Sequence, residues 1–272
     1  MVRKSFGIYS EDHSDCVLFI ETGYEYMACW CKHTETKQVK AFELFSFRPA
    51  DAGDFDNLLK QVQTHSLLLT ESFEKVCCIW SNEKCVCIPN EFYSDDIAAV
   101  YMQTIFGDNI ETTFYKESLN GYVVLAALQQ NAATAFEGYY TIDVNVHKYF
   151  QLLKAQQTGE AENKIHLVFY PTYFIASVFK EGTLQLIQSF SYKLPEDVLY
   201  QVMRTLNALE LSANDTRVYA SGMIDTNSPL YQVLYGYLNN FSFEPTDKDL
   251  FVAPDFHEHP LHYFTSFCQY DV

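Results

Sequence analysis

Apolar positions alternate with polar or outward-facing ones through residues 16–22, 24–33 and 38–47, and this period-two pattern predicts three consecutive strands. The period then changes. In "DFDNLLKQVQTHS", Phe55, Leu58, Leu59 and Val62 recur at i, i+3, i+4 and i+7, the spacing of one buried helix face. A hairpin is predicted in "VCCIWSNEKCVCI" (76–88), with its loop at 81–84 and Trp80 opposite Cys85. In "SDDIAAVYMQTIFG" (94–107), Ser94 is placed to cap a helix and Gly107 to end it, with Ile97, Val100, Tyr101 and Ile105 as its buried stripe. Residues 112–118 predict another strand, and 121–136 an apolar helix bearing several alanines.

Past Gly138, "YTIDVNVHKYFQLLKA" (140–155) predicts a short strand running into a helix, and 156–164 a polar loop. Strands follow at 165–171, 173–180 and 183–192, with Lys180-Glu181-Gly182 as the turn between the last two. Pro195 opens a helix whose core face is Val198, Leu199, Val202, Met203, Leu206 and Leu209. Laid in register, "LFIETGYEYMAC" (18–29) falls on "LVFYPTYFIASV" (167–178), so a β-β-β-α unit occurs twice. A repeat of such long period constrains the fold.

A duplicated β-β-β-α unit whose first strand ends in acid-x-Gly, here Glu21-Thr22-Gly23, resembles the actin-like ATPase superfamily. The strand-to-helix crossover at 140–155 is similar to that of its pilus-assembly and cell-division members, and the whole chain resembles uncharacterised bacterial proteins grouped as domain of unknown function 3822. The resemblance implies a two-lobed α/β fold of the ribonuclease H-like kind, with lobes at 1–142 and 143–272. It also implies a nucleotide cleft. In such proteins each half offers a hairpin whose Gly-containing turn brings N–H groups to the phosphates of Mg-ATP, and a strand-end carboxylate positions hydrated metal or water.

Carried onto this chain, the first hairpin is Glu21, Thr22, Gly23 and Tyr24, with tyrosine replacing the small hydroxyl residue of the family. The second turn, Phe169-Tyr170-Pro171-Thr172, has neither acid nor glycine, and Pro171 has no N–H to offer. A third loop within 217–238 supplies Ser221 and Gly222, one glycine where the family has two or more, before a helix near Ser228-Pro229. Glu21, Thr22, Gly23, Tyr24, Ser221 and Gly222 are therefore the expected remnant of a nucleotide site, with no catalytic residue and no resident cofactor. This points to a non-catalytic scaffold or protein-interaction module. The alternative is an ATP-binding enzyme, an ATPase or kinase, that holds Mg-ATP in an altered phosphate site; a filament-forming module is a third reading.

Composition narrows the partner. The 272 residues are 48% hydrophobic against 19% charged, enough for a well-filled core, and carry a net charge of −17. Such a charge repels nucleic acid and anionic membranes, so the expected partner is another protein. No apolar run follows Arg3 and Lys4, and none approaches the roughly 20 residues of a membrane span, so a cytoplasmic protein without membrane insertion is expected. The eight cysteines lack C-x₂-C spacing and are expected as reduced core thiols. His257, Glu258, His259 and His262 are zinc-type donors, but Pro260 interrupts them, and a loose surface tail is expected in place of a metal site. Tyr231 and Tyr235, at i and i+4 beside Tyr237, belong either to the core or to an aromatic partner-binding patch.

Overall fold

The computed structural model describes residues 2–107, 113–156 and 161–269. Residues 157–160 of the loop expected at 156–164, and residue 112 of the strand expected at 112–118, lie outside them. The chain divides into two units. The first runs up to Gln151 and includes Lys248–Glu258; the second comprises Leu152–Asp247 and the segment from His259.

The first unit contains β1 (Arg3–Tyr9), β2 (Cys16–Gly23), β3 (Tyr26–His33), β4 (Val39–Ser46), α1 (Phe55–Gln63), β5 (Lys75–Ser81), β6 (Cys85–Pro89), α2 (Ala98–Phe106), β7 (Thr113–Leu119), β8 (Tyr122–Leu128), α3 (Gln130–Tyr139) and β9 (Val144–His147). Its main sheet has the order β1-β4-β3-β2-β5-β9, with β5 parallel to both neighbours. Parallel strands covered on both faces are apolar throughout, which is why β5 reads "VCCIW" without alternation. One face sets Leu18, Ile20, Met27, Cys29 and Cys78 against α1 and α3, and all four predicted residues of α1 are buried there. The other face carries a run of stacked rings, Phe19 on Trp30 (5.3 Å), Trp30 on Phe42 (6.2 Å) and Phe42 on Phe6 (5.7 Å).

Three expectations fail in this unit, for definable reasons. The cysteine run is not a hairpin: β5 joins the main sheet, whereas β6 pairs with β8 in a separate three-stranded sheet, so Cys85 faces Ala126 and not Trp80. Two apolar strands joined by a short loop look alike whether or not they pair. Residues 122–128 form β8 in place of the first half of a helix, because Asn120-Gly121 makes a tight hairpin turn between β7 and β8, with φ +40° and +91°. Of the stripe predicted to bury α2, Ile97, Val100 and Ile105 are exposed and Tyr101 packs half-buried against the small core, which Ala98 and Met102 fill with Ile88, Leu125 and Ala127.

α4 (Lys148–Gln156) carries the chain into the second unit. There β10 (Lys164–Phe169), β11 (Tyr173–Lys180), β12 (Thr183–Ser191), α5 (Pro195–Ala208), β13 (Arg217–Gly222), α6 (Pro229–Tyr237), β14 (Phe241–Phe243) and α7 (His262–Cys268) follow. The sheet order is β12-β11-β10-β13-β14, and its core packs Ile165, Leu167, Phe174 and Val178 against Val198, Val202 and Leu206 of α5. Met203, expected on that face, is exposed at its edge. The tail is not loose. α7 packs on β13, with Phe264, Phe267 and Cys268 buried, and the buried His262 ring stacks on Phe243 at 3.7 Å with Nε2 2.7 Å from the Ile224 carbonyl.

The β-β-β-α unit recurs as expected, but its register is shifted. Thr22 pairs with Met27 and Phe169 with Phe174, so each hairpin has a four-residue connection, and Thr22 corresponds to Phe169, Gly23 to Tyr170 and Tyr24 to Pro171. This differs by two residues from the alignment of 18–29 on 167–178. Period-two patterning fixes which face a residue takes but cannot exclude a two-residue slide; the turn does that.

Candidate functional site

The first hairpin holds Glu21, Thr22, Gly23 and Tyr24 of the expected nucleotide remnant, and the end of β13 holds Ser221 and Gly222. Glu21 lies on the ring-bearing face of the first sheet, two residues beyond Phe19, and is fully buried. Its carboxylate accepts from the Lys148 ammonium at 2.7 Å and from the Tyr26 hydroxyl. Lys148 is itself fully buried, as is Tyr26. A carboxylate, an ammonium and a phenol thus close on one another away from water, and the Coulombic attraction is strengthened there by the low local dielectric.

Tyr26 does a second thing. A Cβ built on Gly23 would lie 2.1 Å from Tyr26 Cε1, so Gly23 is where the tyrosine ring crosses the strand end. This glycine is needed for a close approach; its φ lies outside the left-handed range. Tyr24 points outward and is exposed, and the buried Thr22 hydroxyl makes no hydrogen bond.

Lys148 is placed by its neighbour. His147 ends β9, and its Nδ1 accepts from the Tyr149 N–H at 3.1 Å, which caps the first turn of α4. Nε2 donates to the Asn82 carbonyl at 3.1 Å, so both hydrogen bonds require the neutral ring. Complete burial, aided by the adjacent Lys148 charge, pulls its pKa down to about 3.

The second hairpin is occupied by its own groups. The Tyr170 N–H donates to the Tyr173 carbonyl at 2.9 Å, and the Tyr170 carbonyl accepts from the Tyr192 hydroxyl at 2.8 Å. The Tyr170 and Tyr173 rings stack at 4.5 Å across the turn. In the third loop Gly222 has φ +80°, a region glycine enters freely, and the following Met223 N–H donates to the Phe169 carbonyl at 2.8 Å. A Cβ at Gly222 would lie 2.3 Å from that same oxygen. Ser221 is buried with its hydroxyl unbonded, and Asp225 accepts from the Asn227 N–H at 2.7 Å before Ser228 caps α6.

Among the described residues, no group of three His, Cys, Asp or Glu side chains is placed to hold a metal ion. The eight cysteines are free, with seven buried and Cys87 half-buried. No helix among the described residues is long and apolar enough to cross a membrane.

Lys148, Tyr26 and His147 carry the local electrostatics and none was foreseen. One sign was available. A lysine at the first position of a helix opposes the helix dipole, and its place in the apolar run "VNVHKYF" marks Lys148 as a cation that a carboxylate partner would stabilise.

The chain matches the family model described as protein of unknown function (DUF3822) over residues 9–241. No curated protein matches it. Among solved structures it is similar to a Bacteroides thetaiotaomicron protein with an actin-like ATPase fold and unknown function, at TM-score 0.75 and 13% identity over 95% of this chain and 97% of that one. It is also similar to the PilM–PilN type IV pilus biogenesis complex, at TM-score 0.62 and 13% identity over 95% and 97%. A third similarity is to the cytoplasmic domain of EpsL, an inner membrane component of the type II secretion system of Vibrio cholerae, at TM-score 0.50 and 6% identity over 86% and 92%. At such identities the likeness shows the fold, which is that of the actin-like ATPases.

Proposed function

We propose that this chain, which belongs to the DUF3822 family of proteins of unknown function, is a cytoplasmic protein-interaction module built on an actin-like ATPase fold, with its nucleotide site closed by its own side chains. The observation that carries the reading is the buried contact of Glu21 with Lys148 and Tyr26. Hydrated magnesium is held by carboxylates that face water, whereas the Glu21 oxygens serve an internal ammonium and a phenol. Phosphate binding at a hairpin needs a run of backbone N–H groups, but the Tyr26 ring lies over Gly23, and in the second turn Tyr170 N–H is already bonded and Pro171 has none. Mg-ATP, the cofactor implied by the fold, does not fit these residues.

The relatives support the other half of the reading. PilM was solved in complex with PilN, and EpsL is a component of a secretion system, so the fold serves assemblies in both. A net charge of −17 is consistent with a protein partner in place of a polyanion.

Isothermal titration of the full chain with ATP, with and without magnesium, tests the closed site. No saturable heat is expected at millimolar nucleotide. Magnesium-dependent micromolar binding that disappears in Glu21→Ala would replace this reading with that of an ATP-binding enzyme.

A further inference from the structure

α2 is apolar on nearly every side, yet the three-stranded sheet β6-β8-β7 covers only one of them. Ala98 and Met102 enter the small core, with Phe106 packed against it. At 3.6 residues per turn, Val100, Thr104 and Ile105 fall within an arc of about 140°, and Tyr101, which falls between them, is half-buried against the small core. Val100 is 57% exposed and Ile105 55%; Ile97, in the turn leading into the helix, is 37% exposed and Phe92 just before it 59%. The Tyr101 hydroxyl donates to the Phe92 carbonyl at 3.0 Å and so holds the Phe92 segment beside the helix. A helix apolar all round belongs in a core, and an exposed contiguous apolar patch marks a binding surface.

Charge selects the occupant. Glu91, Asp95 and Asp96 are exposed along the N-terminal side of the patch, and of these Asp95 is paired with Lys116. A second copy would set these acids, and a net −17, against their own kind, and an anionic membrane would be repelled in the same way. A complementary surface has an apolar stripe bordered by lysine or arginine. We infer that the outer face of α2 is the docking site for a basic amphipathic helix of a different protein, lying helix-in-groove or helix-on-helix with its apolar stripe on Phe92, Ile97, Val100 and Ile105. The inference rests on the interaction-module reading and gives that reading its surface.

The test uses two labelled synthetic helices with leucines at i, i+3, i+4 and i+7, one with lysine and one with glutamate at the remaining positions, titrated with the full chain by fluorescence anisotropy. The leucine–lysine helix is expected to bind, the leucine–glutamate helix not. Val100→Ser with Ile105→Ser, which leaves the charge unchanged, is expected to weaken binding at least tenfold, and Phe92→Ser alone to weaken it to a smaller extent. Tyr235→Ser with Tyr237→Ser, exposed aromatics in the second unit, is expected to bind like wild type. Circular dichroism confirms that each variant is folded.

Equal binding of the two peptides, or undiminished binding by the α2 double variant, overturns the proposal. So does a wild-type dimer that the α2 double variant dissociates, which would make a second copy the occupant, or α2-dependent binding to anionic vesicles. Nucleotide titration reports separately: absence of peptide binding without ATP binding removes only this surface, whereas ATP binding removes the reading beneath it.

Discussion

Lys148→Met puts the closed site to a thermodynamic test. At 2.7 Å and an effective dielectric of about 20, the Glu21–Lys148 attraction is worth about 6 kcal/mol, and removing two ions from water costs several kcal/mol each. The intact pair therefore contributes little net stability. Removing one member is different, because Glu21 is left buried without its ammonium, and loss of one partner of such a pair costs about 3–5 kcal/mol. Replacing both ions by Glu21→Met and Lys148→Met, with Tyr26→Phe to avoid an unbonded hydroxyl, should recover most of that loss.

Urea unfolding followed by tryptophan fluorescence suits the question, since the two tryptophans, Trp30 and Trp80, sit in the same sheet as Glu21. The single variants should move the midpoint strongly to lower urea, and the triple variant should return it close to wild type. A cost below about 1 kcal/mol for Lys148→Met, of the order found for solvent-exposed pairs, would mean that water or a ligand reaches Glu21 and would refute the closed site.

Further predictions concern a histidine of the first unit and two glycines of the second. His147 is neutral in the fold, with a pKa of about 3 against 6.5 when unfolded, so the stability it secures is complete above pH 6.5 and falls as the pH drops from there towards 3, by up to about 1.4 kcal/mol per pH unit. His147→Asn keeps a capping acceptor without the titration, so its urea midpoint should fall less steeply than that of wild type between pH 6.5 and 4; parallel profiles would disprove the assignment. Gly222→Ala meets both a left-handed backbone and the Phe169 oxygen and should cost about 2 kcal/mol or more, whereas Gly236→Ala in α6, with open space around it, should gain up to about 1 kcal/mol by thermal melting.

Many strands of the two larger sheets and the long helices were legible because their burial follows simple periods: β2, β3, β4 and α1 lie where alternation and the i, i+3, i+4 spacing put them, whereas the edge strands β1 and β14 were not read. Pairing was less legible. β5 and β6 are adjacent in sequence and equally apolar, and nothing in either names β2 or β8 as its neighbour. α2 was misread because a helix apolar on all sides has no preferred face until the sheet beside it chooses one. The position of Glu21 was legible from acid-x-Gly at a strand end, but its neutralisation was not, since Lys148 is 127 residues away and is brought there by the topology. Asn120-Gly121 was a readable hairpin signal that the alanines after it obscured.

The excursion from Asn82 to Ala127 begins and ends at one point. The Asn82 side chain donates to the Ala127 carbonyl at 3.1 Å, and the Ala127 N–H donates to the Lys84 carbonyl at 2.9 Å, while the segment between them keeps a core of its own. Beyond that point it touches the main unit through Tyr115 of β7, which packs on the main core and whose hydroxyl donates to the Asn145 carbonyl, whereas Val100 and Ile105 of α2 are exposed, so substitutions at those two need not disturb the packing around β2, β5 and α1. The α2 surface can diversify while the scaffold beneath it stays unchanged.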